Sequence, residues 1–169
     1  DGVVGVRAGE TPDRAVQRWD LRTAVYMARA MGEMGVYWLE EPLYCYDYDG
    51  LAELRSQVNL RICGGELNQG LHEFRIFLEK GCFDVYQPDV TFAGGFLQCG
   101  QLAGMVEAHG KVLTPHTWTN GIGFAANLQA LRLKRQGYRG HVLVEAPLRD
   151  QGARQQRHGD DREPRRQKP

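Results

Sequence analysis

The stretch "VYWLEEPLY", residues 36–44, sets two adjacent glutamates and a proline directly behind an apolar run. Residues 36–40 read as a buried strand. The two-residue period places Val36, Trp38 and Glu40 on one face and Tyr37, Leu39 and Glu41 on the other. Before it, Leu21, Ala24, Val25, Ala28 and Met31 recur at helical spacing from Asp20 to Met34, with Asp20 as N-cap and Gly35 as the stop. The alternation then repeats. "GLAELRSQV", "LHEFRIFLEKG", "GFLQCGQLAGMVEAHG" and "GFAANLQALRL" read as helices, and "LRICGGE", "FDVYQPD", "KVLTPH" and "HVLVEAP" as the strands that follow them. Successive helix and strand units imply an α/β chain with a parallel sheet, because each crossover helix returns the chain to the same end.

The polar residues at the strand ends decide which parallel fold this is. Glu40, Glu66, Asp89, His116 and Glu145 each close a predicted strand, at intervals of 26, 23, 27 and 29 residues. All five therefore reach one rim. Functional side chains at the C-terminal ends of consecutive parallel strands point to a (β/α)8 TIM-type barrel. An open doubly wound sheet needs a glycine-rich phosphate loop after its first strand, and neither Gly64-Gly65 nor Gly94-Gly95 fits that fingerprint. Such a barrel has eight strands and about 250 residues. With 169 residues and five complete strands, the chain reads as a partial barrel, incomplete at its N-terminal side. A sixth strand would have to lie before Trp19, yet "GVRAGETPDRAV" reads unlike a barrel strand. The organisation expected is an atypical segment at 1–18, a partial barrel at 19–148 and a disordered polar tail at 149–169, whose composition buries no apolar face.

Composition narrows the function. A formal net charge of +0 and a pI near 7.1 give no general pull toward nucleic acid or membrane surfaces. No apolar run reaches a membrane span, and no signal peptide opens the chain, so the expected setting is cytoplasmic. Cys45, Cys63, Cys82 and Cys99 show no CxxC spacing and sit among apolar neighbours, which reads as buried reduced thiols rather than disulfides or a zinc site.

Two strand-end carboxylates, Glu40 and Glu66, supply the hard oxygen donors that magnesium prefers; the bland alternative is an ion pair with arginine or a helix cap for each. Asp89 and His116, on adjacent strands, can form a dyad in which the carboxylate fixes the imidazole tautomer and raises its basicity.

Together "WLEEP", "GGE", "QPDV", the glycines at 94 and 95, "PHTW" and "LVEAP" resemble the enolase superfamily, in its mandelate racemase-like branch with many acid-sugar dehydratases. The resemblance runs from about Gln17 to Pro147. It implies a magnesium cofactor held by Glu40 and Glu66, a His116–Asp89 dyad that moves the α-proton of a carboxylate substrate or protonates a leaving hydroxyl, and Glu145 hydrogen-bonded to a substrate carboxylate oxygen. Glu40 then faces the barrel interior, and Glu41 points outward into a structural pair. The implied partner is a small acid sugar, with no nucleic acid and no membrane, in a homo-oligomeric parent. An α-proton beside a carboxylate is so weakly acidic that base and charge stabilisation are both needed.

The N-terminal side departs from that pattern. Counting back from "QRWD", Arg14 occupies the position of the first metal ligand and Val16 that of the following asparagine; Asp13 is one residue out of register, which turns its side chain to the wrong face. Three readings compete: a magnesium-dependent dehydratase barrel with impaired catalysis, a racemase or epimerase of the same superfamily, and a catalytically inactive remnant. The lactonising branch needs a lysine on the strand that Asp89 ends, and no lysine lies between Lys80 and Lys111.

Overall fold

The computed structural model describes residues 5–7, 19–118 and 120–135. Asp13, Arg14, Val16, Glu145, the strand expected at 141–147 and the tail expected at 149–169 lie outside the described residues. Five strands, β1 (Gly5–Arg7), β2 (Trp38–Glu40), β3 (Arg61–Gly64), β4 (Val85–Tyr86) and β5 (Val112–Leu113), form one sheet in the order β1-β2-β3-β4-β5. Every neighbouring pair is parallel. Helices α1 (Leu21–Glu33), α2 (Tyr48–Gln57), α3 (Gly70–Lys80), α4 (Gly95–Ala108) and α5 (Gly121–Arg135) alternate with them. The strand order follows the chain without a reversal, as in a barrel wall and unlike a doubly wound sheet, whose order reverses at a switch point.

Local signals explain the elements. Asp20 caps α1 by accepting the Thr23 amide at 2.7 Å, and Gly35, at φ 77°, takes the left-handed turn that releases the chain toward β2. Asp47 caps α2 through the Gly50 amide at 2.9 Å. The strand β1 corrects the reading of its segment as unlike a strand: Gly5, Val6 and Arg7 pair with Trp38, Leu39 and Glu40. Three residues are too few to display a two-residue period, and pairing with a neighbouring edge overrides weak local propensity.

The two faces of the sheet bury different things. Leu39, Ile62, Tyr86 and Leu113 join Ala24, Ala28, Leu51, Leu54, Phe74, Phe77 and Leu102 of the helices in the main core. Phe77 packs at a tilt against Phe83 with ring centroids 4.7 Å apart, and Phe83 meets Tyr86 edge-on at 5.7 Å. Each such aromatic pair adds about 0.5–1.5 kcal/mol beyond its buried area. Trp38, Cys63 and Val85 form a separate cluster on the opposite face, joined by Tyr37 and Val112. All helices described thus cover one face, and the other turns inward. The two-residue period holds from Trp38 onward; before it Val36 packs with the helix-side core and Tyr37 with the inner cluster, so the alternation expected over 36–40 begins only at 38.

At the N-terminal ends of the strands, Asp84 takes Lys111 at 3.1 Å, an ion pair with Arg55 and the Ile62 amide at 3.2 Å. Among the described residues no helix is long and apolar enough to cross a membrane. All four cysteines are buried thiols, as expected. Burial pushes the Cys82 thiol up to about 12 and that of Cys99 to about 11.

Candidate active site

Strand alternation delivers the candidate side chains. With Trp38, Val85 and Val112 inward, Glu40 on β2, Gln87 and Asp89 beyond β4, and Thr114 and His116 beyond β5 fall on the same face. Each is buried, Asp89 at 0%, Glu40 at 2% and His116 at 6% exposure. Alternation alone would send Glu66 outward, since Cys63 is inward. The intervening Gly65 has φ 107°, a conformation open to glycine, and the chain turns so that Glu66 reaches the inner cluster.

There Glu66 Oε2 lies 3.1 Å from His116 Nε2, and Asp89 Oδ2 lies 3.5 Å from His116 Nδ1. The imidazole is bracketed by two carboxylates, one on each nitrogen. Asp89 Oδ1 accepts the Thr91 amide at 2.8 Å, the Thr91 hydroxyl at 2.7 Å and the Asn127 amide nitrogen at 3.1 Å. Glu40 Oε2 accepts from Gln87 Nε2 at 3.0 Å. The arrangement can move a proton at His116 under the control of Asp89, and it sets two carboxylates, Glu40 and Glu66, on neighbouring strand ends.

Glu41 plays a different part. Its carboxylate accepts the Gly65 amide at 2.6 Å, it is 1% exposed, and its backbone sits at φ 45°. The second glutamate of "EEP" thus serves a structural bond, buried in the protein. A Cβ on Gly64 would stand 2.7 Å from Glu41 Oε1 and 2.8 Å from Phe83 Cζ, which explains the first glycine of the "GG" pair.

Residues 13–158 match the family Enolase C-terminal domain-like. The chain belongs to that family. The L-talarate/galactarate dehydratase of Salmonella typhimurium is 33% identical over 102 residues, covering 60% of this chain and 26% of that protein. The chain thus spans about a quarter of the curated relatives it matches. A racemase from Streptomyces coelicolor A3(2), solved with bound magnesium, superposes with a TM-score of 0.68 at 27% identity, covering 78% of this chain and 37% of that one. L-Talarate dehydratase from Polaromonas sp. JS666, complexed with Mg and L-glucarate, gives a TM-score of 0.63 at 29% identity over 77% of this chain and 34% of that one. The fold is a partial enolase-family barrel.

Within this enolase-family chain the donor set suits magnesium. Magnesium binds through one or two carboxylates and keeps several waters, and Glu40 and Glu66 offer two buried carboxylates. Among the described residues no group of three or more His, Cys, Asp or Glu side chains is set to hold a metal ion. Arg7 stands in register with Glu40 on the neighbouring strand.

Two members of the site escape the strand-end pattern. Gln87 lies inside "QPDV", and its inward direction follows from Val85 two residues before and Asp89 two residues after. Asn127 lies on α5, where a polar residue within the stripe Phe124, Asn127, Leu131 was the available signal.

Proposed function

We propose that this chain is the barrel part of a magnesium-dependent acid-sugar dehydratase, acting on a small hydroxy-carboxylate. The observation that carries it is the contiguous Glu66–His116–Asp89 array beside Glu40 at the inward ends of consecutive parallel strands. The kinship with L-talarate/galactarate dehydratase supports the substrate class. Glu40 and Glu66 would hold magnesium, and Glu145 is assigned to the substrate carboxylate on the resemblance alone. Bound there, the cation would neutralise charge developing on the substrate carboxylate.

The protein's own residues handle the proton. His116, oriented by Asp89, takes the α-proton, and the C–H electron pair moves into the carboxylate as an enediolate. Collapse of the enediolate expels the β-hydroxyl, which leaves as water by taking the proton held on His116. The resulting enol becomes a 2-keto-3-deoxy acid by gaining a solvent proton at the β-carbon and releasing its hydroxyl proton. Burial strengthens each of these charge interactions relative to water. A cytoplasmic setting and a homo-oligomeric parent belong to the same reading.

Incubation of the full chain with magnesium and a panel of aldaric and aldonic acids in deuterated water tests it. The expected result is keto-acid formation with deuterium at the β-carbon, where the enol is protonated, and α-deuterium in the recovered substrate. Asp89→Asn should lower kcat by about 100-fold or more, since positioned acid–base catalysis contributes roughly 10²–10⁴, while KM changes little. Exchange and turnover both absent across the panel in the magnesium-loaded chain would overturn the reading. That outcome would leave the alternative of an inactive remnant, which Arg14 at the position of the first metal ligand favours.

A further inference from the structure

Asp89 is held by more than its own loop. Its Oδ1 collects three donors, and one of them, Asn127 Nδ2, comes from α5, 38 residues further along the chain. The same nitrogen donates to the Gly123 carbonyl at 3.1 Å, and Asn127 Oδ1 accepts the Val90 amide at 3.0 Å. Asn127 is 3% exposed. Its orientation is determined: an exchanged amide would set oxygen against the Asp89 carboxylate and the Gly123 carbonyl, and nitrogen against the Val90 N–H. A carboxylate turns freely about its last torsion unless its oxygens are made inequivalent. Here Oδ1 is engaged three times, whereas Oδ2 is left to face His116 Nδ1, 3.5 Å away.

We infer that Asn127 is a positioning residue for the acid–base dyad, fixing the Asp89 carboxylate so that Oδ2 is committed to His116 and tying that geometry to the placement of α5. The inference rests on the proposed acid–base role of His116. It says what α5 contributes to the reaction beyond packing. The helix is anchored at its start by Asn120, whose side-chain oxygen accepts the Ile122 and Gly123 amides at 3.1 and 3.2 Å. Gly123, the acceptor of the second Asn127 proton, belongs to that same first turn. Displacement of the turn would therefore be transmitted through one amide to Asp89.

The experiment uses the full chain labelled with ¹⁵N-histidine. Asn127→Asp keeps the shape and the acceptor for Val90 N–H but replaces the donor to Asp89 with a like charge. Thr91→Val, at an exposed residue, removes one hydroxyl donor and keeps the Thr91 amide, so it serves should the first variant fail to fold. At fixed pH, the proton on His116 Nδ1 should be evident in the ring nitrogen shifts of the parent chain. It should be lost in Asn127→Asp and reduced in Thr91→Val, because the nitrogen that carries the proton is set by its hydrogen-bond partner. The kcat of Asn127→Asp should fall by about 100-fold, the size of loss that a roughly 1 Å misplacement causes, with KM within about twofold. Unchanged ring shifts in both folded variants would overturn the inference and leave Asn127 as a strut for α5. Altered shifts in a chain whose parent exchanges no α-proton would uphold the positioning and defeat the dehydratase reading instead.

Discussion

Gln87→Leu separates what the site does from what holds it together. Gln87 is 1% exposed, donates to Glu40 Oε2 at 3.0 Å, and leaves its own Oε1 buried without a hydrogen-bond partner among the described residues. A hydrogen bond to a charged group contributes about 1.5–3 kcal/mol. At 1.4 kcal/mol per tenfold, that corresponds to roughly 10–100-fold in a dissociation constant. The bond exists with or without a cation, so only its orienting share is lost from the affinity. That makes about 100-fold the ceiling and about tenfold the expected weakening, within the roughly 10–100-fold seen for outer partners of metal ligands. Stability should respond differently. Glu40 loses a donor, at about 1–3 kcal/mol, while removal of the unpartnered Oε1 relieves a penalty of the same order, so unfolding should change by less than about 1 kcal/mol. Manganese binding followed by electron paramagnetic resonance, with magnesium competition and parallel urea unfolding, reads both quantities. If Gln87→Leu binds manganese within twofold of the parent while Glu40→Gln binds none, the reasoning is refuted.

Three further outcomes follow from packing and burial. Gly64→Ala should destabilise by about 1–3 kcal/mol, the usual cost of overpacking, because the new Cβ meets Glu41 Oε1 and Phe83 within 2.9 Å. Gly100→Ala, on α4 with nothing within 4 Å, should stabilise by about 0.4–1 kcal/mol; urea midpoints that move the same way for both would defeat the argument. Cys82, raised by burial from 9.0 to about 12, is neutral in the folded state, so its contribution is complete below pH 9 and is lost as pH rises from there toward 12. A Cys82→Ala chain should accordingly show a flatter decline of stability over that window, and an unchanged slope would exclude this thiol as a cause.

The elements were legible because each relied on short-range rules. Asp20 and Gly35 announced both ends of α1, and one apolar period fixed β2 from Trp38. Ile62 shows the limit: it packs with the helices, whereas its neighbour Cys63 faces inward, a choice set by register with Glu40 and not by the apolar run that contains both. Glu66 was found by its position in "GGE", though only the turn at Gly65 brings it to the inner face. The polar break in the α5 stripe marks Asn127, but its role was out of reach for a different reason. Its importance lies in partners 37 and 38 residues away, and no local pattern encodes a contact across that separation. The strand β1 was misread because three residues paired by backbone bonds carry no side-chain signature.

The bond from Gly65 N–H to Glu41 bears on motion. Glu41 leaves β2 at φ 45°, immediately after Glu40, and its carboxylate grips the residue immediately before Glu66. The two strand termini are therefore joined by a buried link one residue away from each inward carboxylate. Such a link should couple the two termini, so that a displacement of one tends to carry the other. A cation held between them would experience a cage that translates without dilating. Relaxation measurements should then give rigid order parameters at the backbone amides of both Glu41 and Gly65, and Glu41→Ala should lower that of Gly65.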